Sequence, residues 1–208
     1  MTFATELSIR DLLRAVASAE EAHGAVSVAA ISGAFGTSLI LMAATLPQTR
    51  SGSAQDRARL VEASVALTEI QEQLLETVET ETAVKVFAAR NMPQASAAQR
   101  SERQAAIQLA LCAAADVPLE VMRLSANGLK QAQAVAAHSS RAASADVQLG
   151  AALVQAAFDG ARSSLEGKLT SLTDTNYITS VVDEIVRLSE EVSAATRATD
   201  ALLRVPPV

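Results

Sequence analysis

Twenty-eight consecutive residues, Ala22 to Thr49, contain no Asp, Glu, Lys or Arg. About 20 mainly apolar residues are enough to cross a hydrocarbon core, so the run is either a membrane span or a helix enclosed by protein. Its composition and flanks argue for the second. It mixes Ala, Ser, Thr and Gly with its larger apolar residues, has no Trp or Tyr at either end, and lacks the Lys or Arg cluster that would fix an orientation. Ala29, Ser32, Gly33 and Gly36 make small-residue ridges at helical spacing, which let neighbouring backbones approach closely. The expectation is a central helix surrounded by partner helices, with no membrane contact. A signal peptide would start earlier and carry a basic lead-in.

The rest of the composition agrees with that arrangement. Half of the 208 residues are apolar, enough to bury one core, so residues 1–208 are expected to form a single domain. With no Trp, one Tyr and four Phe, the core has to be built from Ala, Leu, Val and Ile, which suits closely packed helices better than a sandwich or barrel. The expected fold is all-α. A net charge of −6 without a Lys or Arg cluster or interleaved aromatics argues against nucleic-acid binding. A lone Cys112 excludes an internal disulfide and fits a reducing cytoplasm. His23 and His138 stand far apart and outside any HExxH pattern, so no metal site is expected.

Helical periodicity then divides the chain. Ser8 is placed to cap a helix from Ile9 to about Ala22, with Asp11 in its first turn. The uncharged helix ends near Pro47, and a polar link leads to a long amphipathic helix reaching about Arg90, with Leu60, Ala63, Leu67, Ile70 and Leu74 on one seam. Ser96 with Gln99 forms a capping-box signature, and Pro118 predicts a kink or restart. From Ser144 to about Leu172 the ridge Ala152, Ala156, Gly160 and Ser164 is expected to face the uncharged helix. The last helix has the clearest period, Ile178, Val181, Ile185, Leu188, Val192, Ala195, Thr199 and Leu202. Six or seven helices in an up-and-down bundle follow.

Three places offer chemistry. Asp146 lies one turn before Gly150 on a helix of small residues, where its carboxylate can hold a cation or move a proton, or simply favour the helix amino end. His23-Gly24 precedes the uncharged helix, whose free N–H groups can receive an anion or carbonyl; the plainer reading is a surface turn. Glu79 belongs to the acidic run Glu72, Glu76, Glu79, Glu81, a pattern that usually marks a solvated face. Ser163-Ser164 can hydrogen-bond a ligand, or be there for small size.

Several stretches together resemble one family: AAISGAFG from Ala29, Arg103 with AIQLAL from Ala106, DVPLEVMRL from Asp116, and SADVQLGAALVQAAFDGARSSLEGKLTSLTD from Ser144. They are similar to the formiminotetrahydrofolate cyclodeaminases and methenyltetrahydrofolate cyclohydrolases, all-helical folate enzymes. The resemblance implies a homodimer acting on a tetrahydrofolate-bound one-carbon group, without a metal or redox cofactor. It places the catalytic carboxylate on Asp146, with Glu79 second. It also implies that His23, Gly24, Ser27, Ser164 and Lys168 line the pterin site and that Arg50 meets the folate tail.

The departures from that family pattern are local. Its Pro-Gly-Gly-Gly-Ser turn reads His23-Gly24-Ala25-Val26-Ser27, its Lys-rich segment after the uncharged helix keeps only Arg50, and its Asp-x-x-Ala-Phe falls on Glu79, Thr82 and Ala83 with the aromatic lost. Val26 is expected to be costly if that position needs positive φ. Folate one-carbon hydrolysis is the leading expectation. A relative with a decayed site, serving as a pterin-binding or interaction bundle, and an enzyme for another one-carbon carrier are the alternatives.

Overall fold

The computed structural model describes residues 6–18, 24–78 and 82–204. Among them seven α-helices occur: α1 (Ile9–Ala17), α2 (Ala25–Thr45), α3 (Ala54–Val78), α4 (Thr82–Arg90), α5 (Ala97–His138), α6 (Ser144–Leu169) and α7 (Thr175–Leu203). The all-α expectation holds, with an isolated bridge between Thr49 and Ser139 in place of any strand among the described residues.

Helix α2 is the centre. It packs along α6 and α3 and touches α5, and its Ala30, Thr37, Ile40 and Ala43 are fully buried. The glycines explain the closeness. A Cβ on Gly36 would stand 2.6 Å from the Gly150 carbonyl oxygen, and one on Gly150 would stand 2.7 Å from the Gly36 carbonyl oxygen. The two backbones therefore touch where neither residue has a side chain. Gly33 lies against Ala157 and Gly160 against Ala29, while Ser32 Oγ donates to the Leu153 carbonyl oxygen at 3.1 Å. Rising numbers on α2 meet falling numbers on α6, so the two helices run antiparallel. The α6 ridge differs from the expected one: Ala152 and Ala156 are exposed, and Gly150, Val154 and Ala157 make the close approach instead. A four-residue repeat drifts around a helix of 3.6 residues per turn, so it does not stay on one face.

Enclosure of α2 is incomplete. Val28, Phe35 and Met42, spaced seven apart, are 40%, 53% and 44% exposed. The uncharged run thus supplies a helix packed on its flanks and inner side, with an apolar stripe left facing outward.

Two boundaries depart from the periodicity. The first helix stops at Ala17, because Ser18 turns extended. Helix α5 runs unbroken for 42 residues through Pro118. An interior proline costs about 3 kcal/mol through its lost N–H bond and ring clash, yet Ala114, Ala115, Leu119, Val121 and Met122 around it are all buried. Packing on both sides of the proline offsets that cost and carries the helix through. The capping box of Ser96 and Gln99 forms as expected, with reciprocal bonds of 3.1 and 3.0 Å. Arg103 closes the turn before it, donating from Nε and Nη2 to the Arg90 carbonyl at the end of α4. Helix α7 buries Val181, Ile185, Leu188, Val192, Ala195 and Thr199, the face its period predicts, and docks on α5 and α6.

Candidate functional site

The carboxylate of Asp146 sits in the first turn of α6, half-buried, where the free N–H groups and the helix dipole favour a negative charge. The short 3₁₀ turn Arg141–Ala143 leads into it from the end of α5. Arg50 belongs to the same end of the bundle, since its amide donates to the His138 carbonyl at 2.8 Å. Its Nε is buried without an acceptor.

That end also holds a polar cluster that sequence reasoning missed. Asp56 Oδ1 lies 2.9 Å from His138 Nδ1, and Asp56 Oδ2 accepts from the Ser51 amide at 2.9 Å and from its hydroxyl at 2.6 Å. These bonds, the Ser51 hydroxyl foremost, hold the Asp56 carboxyl at about 2, below its ordinary 3.8. The pair ties the start of α3 to the end of α5 across 82 positions of sequence. With the bridge between Thr49 and Ser139, it fixes the link that carries Arg50. Ser53 caps α3 by accepting from the Asp56 amide, and the Ser-x-x-Asp spacing was the local signal available.

The remaining candidates lie at the opposite end. Gly24 is the N-cap of α2 with φ −85°, and Ser27 follows in its first turn, partly buried. Val26 is helical there, so no positive φ is needed and the expected strain does not arise; among the described residues the positive-φ glycine is Gly52. Gly24, Val28 and Ala29 share a depression with Ala156 and Gly160 of α6. Ser164 and Lys168 follow on α6, both partly buried. The candidates His23 and Glu79 fall outside the described residues.

Within one chain the two groups do not meet. Eighteen residues of α6 separate Asp146 from Ser164, about 27 Å at 1.5 Å per residue. They lie on the same side of the helix, because 18 residues make five full turns. Between them on α2 and α6 runs the uncharged surface of Val28, Phe35, Met42 and Leu153, around a groove of about 580 Å³.

A family profile described as formiminotransferase-cyclodeaminase matches residues 8–187. The chain belongs to the formiminotransferase-cyclodeaminase family. Among curated relatives, a formimidoyltransferase-cyclodeaminase of Gallus gallus is 25% identical over 193 residues, covering 92% of this chain and 36% of the relative. This family member thus spans about a third of the length of the curated relative it matches. Among solved structures, the crystal structure of formiminotetrahydrofolate cyclodeaminase from Thermotoga maritima superposes with a TM-score of 0.84 at 19% identity, covering 96% of both chains. At that identity the match establishes a shared helical fold. The family member's sequence segments quoted above as similar to the family lie on α2, α5 and α6, the helices that build the packed centre.

Proposed function

We propose that this chain carries out folate one-carbon chemistry at the amidine carbon bridging two nitrogens of tetrahydrofolate, with hydrolysis of 5,10-methenyltetrahydrofolate to 10-formyltetrahydrofolate as the leading reaction. The family match over residues 8–187 carries the folate assignment. The half-buried carboxylate of Asp146 at the head of α6 supports the chemistry.

The methenyl group is a cationic amidinium, so an anionic side chain beside it stabilises the bound substrate and can take a proton from attacking water. Water adds to the carbon, its proton passes to the carboxylate, and the tetrahedral adduct expels one ring nitrogen. That nitrogen regains a proton as the formyl C=O forms. Asp146 is the residue we assign to this role. Glu79 remains the second candidate. Arg50 is assigned to a carboxylate of the folate tail, a reading supported by its Nε, which is buried without an acceptor. Gly24, Ser27, Ser164 and Lys168, with His23, are assigned to the pterin. The reaction needs no metal or redox cofactor, and the single Cys112 accords with a cytoplasmic protein.

A second reading is favoured by the names of the relatives, which are cyclodeaminases. There N10 attacks the formimino carbon carried on N5, the ring closes, and the imino nitrogen leaves as ammonia. One assay separates them. Purified protein given methenyltetrahydrofolate is expected to accelerate loss of its absorbance, whereas a cyclodeaminase given 5-formiminotetrahydrofolate produces that absorbance. Asp146→Asn is expected to abolish the acceleration while leaving the helical circular dichroism unchanged. A folded protein inert toward both substrates would refute the catalytic reading and leave the interaction-bundle or other-carrier alternative.

A further inference from the structure

We propose that Asp56 and His138 are positioning residues for ligand recognition: together they hold the link between α2 and α3 and keep the Asp56 carboxylate occupied, so that the Arg50 guanidinium is left for the glutamate carboxylate of a folate. The assignment rests on the folate reading, and its test separates the two.

Arg50 is the one cation in the link 46–53. Its side chain is half-buried, and its Nε is buried with no acceptor among the described residues. A guanidinium donor removed from water and left unpaired is costly, so an anion supplied from outside gains strongly by meeting it. The acid bonded to this link is Asp56, and it is engaged elsewhere. Its Oδ2 accepts from the Ser51 amide and hydroxyl, its Oδ1 lies 2.9 Å from His138 Nδ1, and its side chain is 13% exposed. A carboxyl held at about 2 stays ionised near neutral pH and only accepts, so the His138 Nδ1 carries the proton of this bond.

His138 acts at two atoms. Its ring occupies Asp56 Oδ1, and its carbonyl oxygen accepts from the Arg50 amide at 2.8 Å. The next residue, Ser139, is buried and forms the bridge to Thr49. The link is also closed from within, because Gly52, at φ 71°, donates its amide to Thr49 Oγ1 at 3.0 Å. Arg50 is thereby held by its neighbours on both sides. Removing the His138 ring leaves the backbone bonds but loosens Ser51 through Asp56 and frees Oδ1, an internal acceptor able to compete for the guanidinium. Both consequences weaken the hold on a ligand carboxylate and leave the rest of the ligand untouched. General loosening of the fold would instead weaken every ligand alike.

Titration calorimetry with two ligands tests this: tetrahydrofolate, which carries no one-carbon group to turn over, and its analogue with the glutamate replaced by hydrogen, ending in a primary benzamide. The wild-type chain is expected to bind tetrahydrofolate about tenfold more tightly than the benzamide, the effect of one charge-assisted hydrogen bond. Arg50→Ala and His138→Ala are each expected to bring the two affinities together by weakening tetrahydrofolate alone. His138→Asn is expected to restore the preference, since its side-chain amide can donate to Asp56 Oδ1 in place of the ring. A His138→Ala protein that keeps the wild-type preference, including one that weakens both ligands equally, would overturn the positioning role, as would a His138→Asn protein no better than His138→Ala. Equal binding of the two ligands by the wild-type chain would overturn it too, while the folate reading stands. Binding of neither ligand would remove the folate reading and the positioning role with it.

Discussion

Substituting Gly36 by Ala tests the tightest contact of the core. The added Cβ meets the Gly150 carbonyl oxygen at 2.6 Å, Val154 Cγ2 at 2.7 Å and the Val154 amide nitrogen at 2.9 Å. Two of those three atoms are backbone, so no rotamer change relieves the clash. Real Cβ contacts essentially never fall under 3.0 Å, and the axes of α2 and α6 must therefore part by at least about 0.4 Å. That movement loosens Ile40 and Val154, both fully buried. Overpacking of this kind costs about 1–3 kcal/mol, and backbone obstruction puts Gly36→Ala in the upper half of that range. Alanine returns about 1 kcal/mol through helix propensity, leaving a net loss of about 1–2 kcal/mol. Gly167→Ala is the matched control: it lies on α6 with nothing within 4 Å of the new methyl group, so it receives the propensity gain alone. Urea unfolding followed by circular dichroism at fixed protein concentration measures both. At a slope of about 3 kcal/mol/M the Gly36→Ala midpoint falls by about 0.5 M and the Gly167→Ala midpoint rises. A Gly36→Ala midpoint equal to that of Gly167→Ala, with the slope unchanged, would refute the close-contact account of the α2–α6 seam.

Other contacts make independent predictions. The carboxyl of Asp56 is depressed to about 2 from an ordinary 3.8, so it stabilises the fold above pH 4 and that contribution is lost as the pH falls from about 4 to about 2; acid titration by circular dichroism is expected to be less steep in that window for Asp56→Asn, and an identical profile would dismiss the Asp56 linkage. Phe158, 1% exposed on α6, is expected to cost about 3–5 kcal/mol as Phe158→Ala in urea unfolding, and a loss under about 1 kcal/mol would mean the core there collapses freely. Arg123 donates through Nε and Nη2 to the two oxygens of Glu184 at 2.9 and 2.8 Å, joining α5 to α7. Since the arginine side chain is 44% exposed, Glu184→Gln is expected to lower stability by about 1 kcal/mol or less, with the difference shrinking in high salt; a salt-independent difference would show that packing, not charge, is responsible.

What could be read ahead of the structure was whatever repeats locally. The α7 period and the Ser96 capping box are short-range patterns, and both form as expected. The uncharged run marked α2 as the centre, but hydropathy has no direction, so it did not reveal that the stripe of Val28, Phe35 and Met42 stays open. The restart allowed for at Pro118 does not occur, for a related reason: the proline's cost is local, whereas the packing that outweighs it comes from distant segments. The pairing of Asp56 with His138 spans 82 positions and has no sequence signal beyond two unremarkable polar residues. The candidate site was legible as residue types and not as a place, because the distance between Asp146 and Ser164 becomes a problem only once both are known to lie on one straight helix antiparallel to α2.

Tyr177 gives the molecule an optical handle. Without Trp, this phenol is the one residue in the chain that can dominate near-ultraviolet absorption and emission. It sits at the start of α7, donating to Asp116 Oδ1 at 2.7 Å and approaching the Cys112 carbonyl oxygen at 3.3 Å. Burial and the neighbouring Asp116 push its ionisation upward, so release of α7 from α5 is expected to lower the pH at which tyrosinate appears. Intrinsic fluorescence of this protein is therefore a gauge of one seam, and set beside circular dichroism it times the release of the last helix against the melting of the rest.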